Sequence, residues 1–353
     1  MANNDKYKTA GNCRFDLQIT SPLKFIKVTG GPMSLKEHIL AMLENNQGKI
    51  LSGEELAKAL NVSRNSVWKA INALKKSGID IKSYQNLGYA LSTDTDVFSA
   101  NRIKSLSSND IDVVMLEESE SSNDVAKSLA QKGAREKTVV VVKKQSAGKG
   151  RMGRSFISNE ENGIYLSIIL RPKISLSQSI YITVIGAVAA LEAIENTAHV
   201  DCSIKWVNDI YIKEKKVCGI LTEASFDLES ESLDYAILGI GINVVPPENG
   251  FDVKIKDIAT SIYPRQAPIG YKSLLCAEVI DRYLYYYNNI ESKEYIKIYK
   301  QRSNLINKQV DVYRGNEIIG GTVVDIDDEA NLVLDTGRNI IKFNSGEARV
   351  RKI

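Results

Sequence analysis

Three glycines and three cations fall within seven residues, Gly148-Lys149-Gly150-Arg151-Met152-Gly153-Arg154. Glycines let a backbone approach a ligand closely, and clustered cations neutralise anions and stabilise charge that builds on a phosphate. The segment is not a Gly-x-x-x-x-Gly-Lys-Ser/Thr phosphate loop, and by composition alone it is equally compatible with a solvated basic loop. Further on, Lys205-Trp206-Val207-Asn208-Asp209 sets a lysine among apolar residues and then Asn-Asp, suggesting a cation aimed into a cleft. An edge-strand lysine followed by a turn is the commoner use of such a pattern. Gly239-Ile240-Gly241-Ile242-Asn243 places two glycines inside a strand, where they often mark close approach by a ligand or another backbone. No third glycine opens a helix there, so it is not a dinucleotide-binding fingerprint. The chain has two histidines and four scattered cysteines, Cys13, Cys202, Cys218 and Cys276, with no Cys-x-x-Cys pair. That pattern disfavours a disulfide framework, a cysteine zinc site and a histidine-based triad.

These residues need elements to position them. Thr138–Lys144 is a β-branched run, hence a buried strand, and it leads into the cationic loop. Gly163–Arg171 reads as a strand and Gln178–Asn196 as a long apolar helix. Lys213–Lys216 forms a hairpin tip with Val217–Leu221 returning, and Tyr235–Val244 is the strand that holds the paired glycines. From about 97 to 305 strands and helices alternate. Residues 309–353 carry five short strands, Gln309–Arg314, Ile318–Asp325, Leu332–Asp335, Ile340–Phe343 and Ala348–Arg351, with turn chemistry at Gly315-Asn316 and Gly337-Arg338. That spacing predicts a small barrel.

Residues 34–92 differ in period. A helix spans Leu35–Asn45, and Ser52-Gly53-Glu54-Glu55 is a capping box that opens a second helix ending near Leu60. After an Asn61-Val62 turn, Ser63 caps a third helix, Arg64 to about Lys76, which Gly78 stops. Val67, Ala70, Ile71 and Leu74 share one face, and Asn65, Lys69, Asn72 and Lys76 the other. Segment 53–72, including Arg64, Asn65, Lys69 and Asn72, reads as a DNA-binding helix-turn-helix, and Ile79–Leu91 as a two-stranded wing. Lys69 and Lys76 would chiefly meet phosphates, while Asn65 and Asn72 are candidates for base edges. A helix pair with a solvated basic face fits the same pattern.

With 353 residues, 43% hydrophobic and 25% charged, the composition is that of an ordinary globular chain of two or three domains. The net charge of +3 leaves nucleic-acid contact to a local basic patch. No uninterrupted apolar stretch of membrane-spanning length is expected, and the first 32 residues do not read as a secretory signal. A cytoplasmic protein with no membrane partner is expected, with 1–32 a disordered extension, 33–96 the DNA-binding domain, 97–305 the catalytic domain and 306–353 a C-terminal domain.

Taken in order, four motifs resemble those of bifunctional biotin–protein ligases that double as biotin operon repressors. They are Ser121-Ser122-Asn123, the 148–154 loop, Lys205–Asp209 and Gly239-x-Gly241-x-Asn243. The resemblance runs from about residue 33 to the end. Val207 stands where the family has proline, and Lys149 replaces an arginine, keeping charge without the guanidinium fork. The fold implied is α+β and multidomain: a winged helix-turn-helix, a class II synthetase-like domain with a mixed sheet, and an SH3-like barrel.

The resemblance implies two steps. The biotin carboxylate attacks the ATP α-phosphate to give biotinoyl-5′-AMP and pyrophosphate, and a lysine of the biotin carboxyl carrier protein of acetyl-CoA carboxylase then takes the acyl group. It assigns biotin to Ser121, Ser122, Asn123, Gln145, Lys149, Gly150, Arg151 and Lys205, with Arg151 and Lys205 catalytic. It puts Gly148, Arg154, Asn208, Gly239 and Asn243 on the ATP side. Mg²⁺ would travel on ATP phosphates rather than in a protein cage, with Asp209 a candidate ligand. It further implies operator DNA as a partner and a homodimer when biotinoyl-AMP is bound. Two other functions compete: a biotin-sensing transcription factor without turnover, and a lipoate or octanoate ligase.

Overall fold

The computed structural model describes residues 34–351 except 77, 93–94 and 228–231. The expected extension at 1–32, with Cys13, lies outside the described residues.

The head is built from α1 (Leu35–Asn45), α2 (Gly53–Leu60), α3 (Arg64–Lys76) and the antiparallel pair β1 (Ile81–Tyr84) and β2 (Gly88–Leu91). Ser34 and Ser52 each close a capping box, with Glu37 and Glu55, so two orphan amides are satisfied at each helix start. Asn61 adopts the left-handed conformation and makes the turn into α3, whose Ser66 amide donates to Ser63 Oγ at 3.1 Å. Val67, Ala70, Ile71 and Leu74 of α3 are buried. They join Ile39, Leu43, Leu56, Ile81, Leu91 and Val97 in a core of the head's own.

Next come α4 (Ala100–Leu106), β3 (Asp112–Ser119), α5 (Ser122–Gln131), β4 (Thr138–Gln145), β5 (Gly163–Leu170) and α6 (Ile180–Ala198). They are followed by β6 (Ser203–Lys205), β7 (Asp209–Ile212), β8 (Lys215–Asp227), β9 (Ser232–Asn243), α7 (Tyr271–Asn288) and α8 (Glu294–Gln301). Seven strands form one sheet in the order β3-β4-β5-β9-β8-β7-β6. Only β3 and β4 pair in parallel among its ladders, so the sheet is mixed. The unbroken valine run of β4 follows from burial on both faces. Val140 and Val142 pack with Ala126 and Ala130 of α5, while Val139 and Val141 enter the larger core opposite.

Helix α6 comes nearest to a membrane-spanning stretch, although Glu192 and Glu195 interrupt it. With the 3₁₀ turn before it, Leu176–Ala198 is long and apolar enough to cross a membrane by length and composition, and 72% of that window is buried in the fold. It is apolar almost all round because the sheet covers one side and α7 and α8 the other, as for any fully enclosed helix.

At the C-terminus β10 (Gln309–Arg314), β11 (Glu317–Ile326), β12 (Leu332–Asp335), β13 (Ile340–Phe343) and β14 (Glu347–Val350) form an antiparallel sheet in the order β13-β12-β11-β10-β14. Its Val310, Val323, Leu332 and Phe343 belong to the same core as α6 and α7. Trp206 ties the two sheets further by donating its indole N–H to the Ala330 carbonyl at 3.1 Å.

The head meets the rest of the chain at α4. Glu44 of α1, 5% exposed, accepts through Oε2 from Ser99 Oγ at 3.0 Å and from Asn101 Nδ2 at 3.1 Å. Burial raises its carboxyl above the usual range, against the lowering effect of these two donors. Ser273 Oγ of α7 also donates to the Val97 carbonyl at 3.0 Å.

Candidate functional site

A recess opens on the α5 side of the sheet. Among its walls are Ser121, Ser122 and Asn123 at the start of α5, Gln145 at the end of β4, Gly150 and Arg151 of the cationic loop, and Gly239 of β9. Residues far apart in sequence meet here because β4, β5, β9 and β8 lie side by side.

Its polar floor is fully connected. Gln145 Oε1 accepts from the Ser122 amide at 2.7 Å, and Gln145 Nε2 donates to Ser158 Oγ at 2.9 Å. Ser167 Oγ donates to Asn123 Oδ1 at 2.6 Å and lies 2.8 Å from Ser122 Oγ. Asn123 Nδ2 donates to Glu223 Oε2 at 2.7 Å. Both ends of the Asn123 carboxamide are thereby held, so its orientation is determined by its partners.

The two glycines of β9 make room for this arrangement. A Cβ on Gly239 would stand 2.2 Å from Asn123 Oδ1, and one on Gly241 2.8 Å from the Phe156 ring. The close approach expected at these glycines is therefore made by side chains of the same chain. Phe156 also packs edge-on against Tyr165, with ring centroids 6.3 Å apart.

The cations are held differently from one another. Lys149 pairs with Asp124 in the first turn of α5, and that hydrogen bond raises the lysine above its ordinary range. Arg151 Nη1 donates to Asn208 Oδ1 at 3.1 Å, while Asn208 Nδ2 donates to the Ile220 carbonyl at 2.8 Å. Burial lowers the Arg151 guanidinium from its usual value, and the Asp209 charge only partly opposes this. A guanidinium stays charged regardless, so a desolvated Arg151 with one neutral acceptor is a seat for an anion. Arg151 also lines a second, larger cleft of about 1040 Å³ between the start of α6 and the turns of the C-terminal sheet.

Other predicted residues lie elsewhere. Lys205 does not line the recess; its Nζ sits 5.7 Å from the Tyr211 ring centroid, and burial lowers its pKa. Arg154 turns away to pair with Glu347 of β14. Asn243 donates to the Thr260 carbonyl at 3.0 Å. Gly148 is packed where a Cβ would meet Ser158 Oγ and the Phe156 carbonyl, each at 2.3 Å. The Trp206–Val207 peptide is cis, and the Val207 carbonyl, at the position where the family has proline, accepts from Tyr299 Oη at 2.9 Å.

Residues 115–243 match the biotin/lipoate A/B protein ligase family, residues 36–90 an HTH domain, and residues 305–351 the biotin protein ligase C-terminal domain. The bifunctional ligase/repressor BirA of Bacillus subtilis (strain 168) is 33% identical over 324 residues, covering 89% of this chain and 98% of that protein. The chain belongs to the bifunctional biotin ligase/repressor family. The Escherichia coli (strain K12) member is 25% identical over 320 residues, covering 89% and 96%. A biotin protein ligase from Aquifex aeolicus, solved with biotin and ATP, superposes with a TM-score of 0.57 at 27% identity, covering 69% of this chain and 99% of that one.

Within this ligase/repressor chain the sequence reading passed over several residues of the recess. Lys216 is the most consequential. It lines the recess, its Nζ lies 5.9 Å from the Phe156 ring centroid, and it stands 2.7 Å from Asp209 Oδ1. That contact is an ion pair by distance, although Asp209 Oδ1 lacks a partner in hydrogen-bond geometry. A bulge puts Lys216 there. Ile210 pairs with Cys218 and Tyr211 with Lys216, leaving Val217 as the extra residue. Val217 and Cys218 both enter the core, and Lys216 passes to the recess face with Gly219 and Leu221. Ser167 and Glu223, which hold Asn123, were also missed. Ser167 is the one aliphatic hydroxyl in the otherwise apolar and aromatic strand Gly163–Leu170, and that was the available signal.

Proposed function

We propose that the protein is an ATP-dependent biotin–protein ligase that also acts as a DNA-binding repressor. The observation that carries this reading is the recess, where a hydrogen-bonding floor shares one small space with the partly buried cations Arg151 and Lys216 and the exposed Lys149. A cyclic urea offers two N–H donors and one carbonyl, which suits the hydroxyls and carboxamides of Ser121, Ser122, Asn123 and Gln145. A carboxylate and a nucleotide α-phosphate repel each other, and Arg151, Lys149 and Lys216 supply the charge that lets them meet.

In the first step the biotin carboxylate oxygen attacks the α-phosphorus, and pyrophosphate leaves. In the second a carrier lysine nitrogen attacks the acyl carbon, AMP leaves, and an amide forms. Neither step needs a covalent nucleophile from the protein. We assign ATP to the Arg151 end of the recess, beside Asn208, with Arg154 and Lys205 on the segments that carry these two residues, whereas Gly239 lies under Asn123 at the biotin floor. Among the described residues no group of three His, Cys, Asp or Glu could hold a metal, and Asp209 is engaged by Lys216. Mg²⁺ therefore fits best as an ion carried by the ATP phosphates, where it offsets phosphate charge.

The proposal extends to module limits of 33–96, 97–305 and 306–353, with a class II synthetase-like centre and an SH3-like C-terminal barrel. It includes the carboxyl carrier of acetyl-CoA carboxylase as acceptor, operator DNA as target, a homodimer formed on binding biotinoyl-AMP, and a cytoplasmic location.

Biotin-dependent ATP–pyrophosphate exchange tests the enzyme, with lipoate and octanoate run in parallel. Exchange with biotin alone is expected. Biotin binding without exchange would leave a sensor, and exchange only with the other acids would make it a lipoate-type ligase. Deleting residues 33–92 should abolish operator binding and leave appreciable ligation.

A further inference from the structure

Helix α3 carries one large residue that its packing does not use. Trp68 is 54% exposed, while Val67, Ala70, Ile71 and Leu74 of the same helix are buried in the head's core. At about 100° per residue, Asn65, Trp68, Lys69, Asn72 and Lys76 fall on one stripe opposite that core. Asn65, Lys69 and Lys76 are exposed and Asn72 partly so. An indole therefore stands along one edge of a polar, cationic stripe, between Asn65 and Asn72 along the helix axis. Around it the amides can bond base edges and the lysines can meet phosphates, but only the indole offers a broad apolar surface.

The major groove of duplex DNA presents one apolar group, the C5 methyl of thymine. We propose that Trp68 is a specificity-determining residue, packing its ring on a thymine methyl in the major groove while Asn65 and Asn72 flank it. The assignment rests on the repressor reading of the head. The charge of the face favours a duplex as occupant, and α3 follows the helix-turn-helix turn at Asn61, which is how a reading helix is presented.

The chain supplies its own probe. It has two tryptophans, and Trp206 is 3% exposed with its N–H bonded to Ala330. Solvent-sensitive emission therefore comes from Trp68. The experiment uses full-length protein with biotin and ATP, and duplexes selected by the wild-type protein from a random-sequence pool. Selected duplexes should carry thymine at a fixed position and should shift or quench Trp68 emission on binding. Trp68→Ala should lose roughly tenfold to a hundredfold in affinity for them, with affinity for unselected duplex and the salt slope unchanged. Replacing that thymine with deoxyuridine, which removes only the methyl, should weaken the wild type several-fold and leave Trp68→Ala unaffected. Trp68→Phe should recover part of the loss. Unchanged affinity of both variants for unselected duplex shows that the head folds, and unaltered ATP–pyrophosphate exchange shows the same of the ligase, whose core is separate.

Wild-type protein that selects and binds a duplex, with equal constants for Trp68→Ala, would overturn the Trp68 assignment alone. So would a loss that is the same on every sequence. A wild-type protein that binds no duplex would overturn the repressor reading and this inference with it.

Discussion

The Asn123 carboxamide occupies the space above Gly239 where any larger residue would put its Cβ, with Oδ1 2.2 Å from that position. Because Ser167 and Glu223 hold both ends of the carboxamide, it cannot simply swing aside. Gly239→Ala should therefore displace Asn123 and break the floor network. We expect about 1–3 kcal/mol of lost stability from overpacking, with biotin affinity falling at least tenfold. Calorimetric titration with biotin and a thermal melt would measure both. Unchanged biotin affinity would mean that Asn123 does not touch the ligand.

The bulge in β8 predicts a contrast between two lysines. Lys216 lines the recess and Lys205 does not. Lys216→Ala should lower the rate of biotin-dependent pyrophosphate exchange by about a hundredfold, the usual effect of removing one charge-stabilising group. Lys205→Ala should do markedly less. Arg151→Ala should match or exceed Lys216→Ala, because Arg151 is shared by both clefts. Equal losses for the two lysines would restore Lys205 to the chemistry.

The Arg154–Glu347 pair fastens the cationic loop to β14, and Arg349 reaches the same carboxylate. Burial would raise Glu347, but the hydrogen bonds from Arg154 and Arg349 outweigh it and hold the carboxyl down at about 2, against an ordinary 4.5. A depressed carboxyl stabilises the folded state fully above pH 4.5 and loses that contribution as pH falls through about 2. Carbon-detected NMR of the Glu347 carboxyl should show titration near the lower value, and Arg154→Ala should move it upward. A titration midpoint near 4.5 in the wild type would contradict the tether.

Lys69 lies on the outer stripe of α3 and is exposed. Lys69→Ala should weaken binding to all duplexes alike and flatten the slope of log K against log salt by about one unit. A loss restricted to one base position would instead make Lys69 a reader of sequence.

What the sequence revealed depended on how local the determining physics is. The limits of α1 and α3 could be read directly, because capping residues and a 3.6-residue apolar period lie within the helices themselves. The C-terminal strands came out within a residue or two of β10 to β14, since turn residues bound each. The recess was legible as Ser122, Asn123 and Arg151, residues carried by recognisable motifs, and as Gln145, which the resemblance implied. It was not legible as Ser167, Glu223 or Lys216. Strict alternation along β8 puts Lys216 on the face of Cys218 and Ile220, and only the extra residue at Val217 reverses this. The partner of Arg154 lies 193 residues away, and nothing local announces Glu347. Trp68 was passed over because a helical pattern sorts residues into inside and outside, and a tryptophan outside has no slot in that scheme.

The separation of the two hydrophobic cores has a bearing on what the chain can lose. The head closes on itself around Ile39, Leu56 and Ile71, whereas the ligase core runs unbroken into the C-terminal sheet. Removing the head would strip polar partners from Ser99 and Asn101 without opening a hole in the remaining interior. The Aquifex ligase, matched along 99% of its own length to only 69% of this one, has the proportions such a removal would leave. The head and the ligase thus keep separate cores, so a chain can carry or lack the one while the interior of the other stays closed.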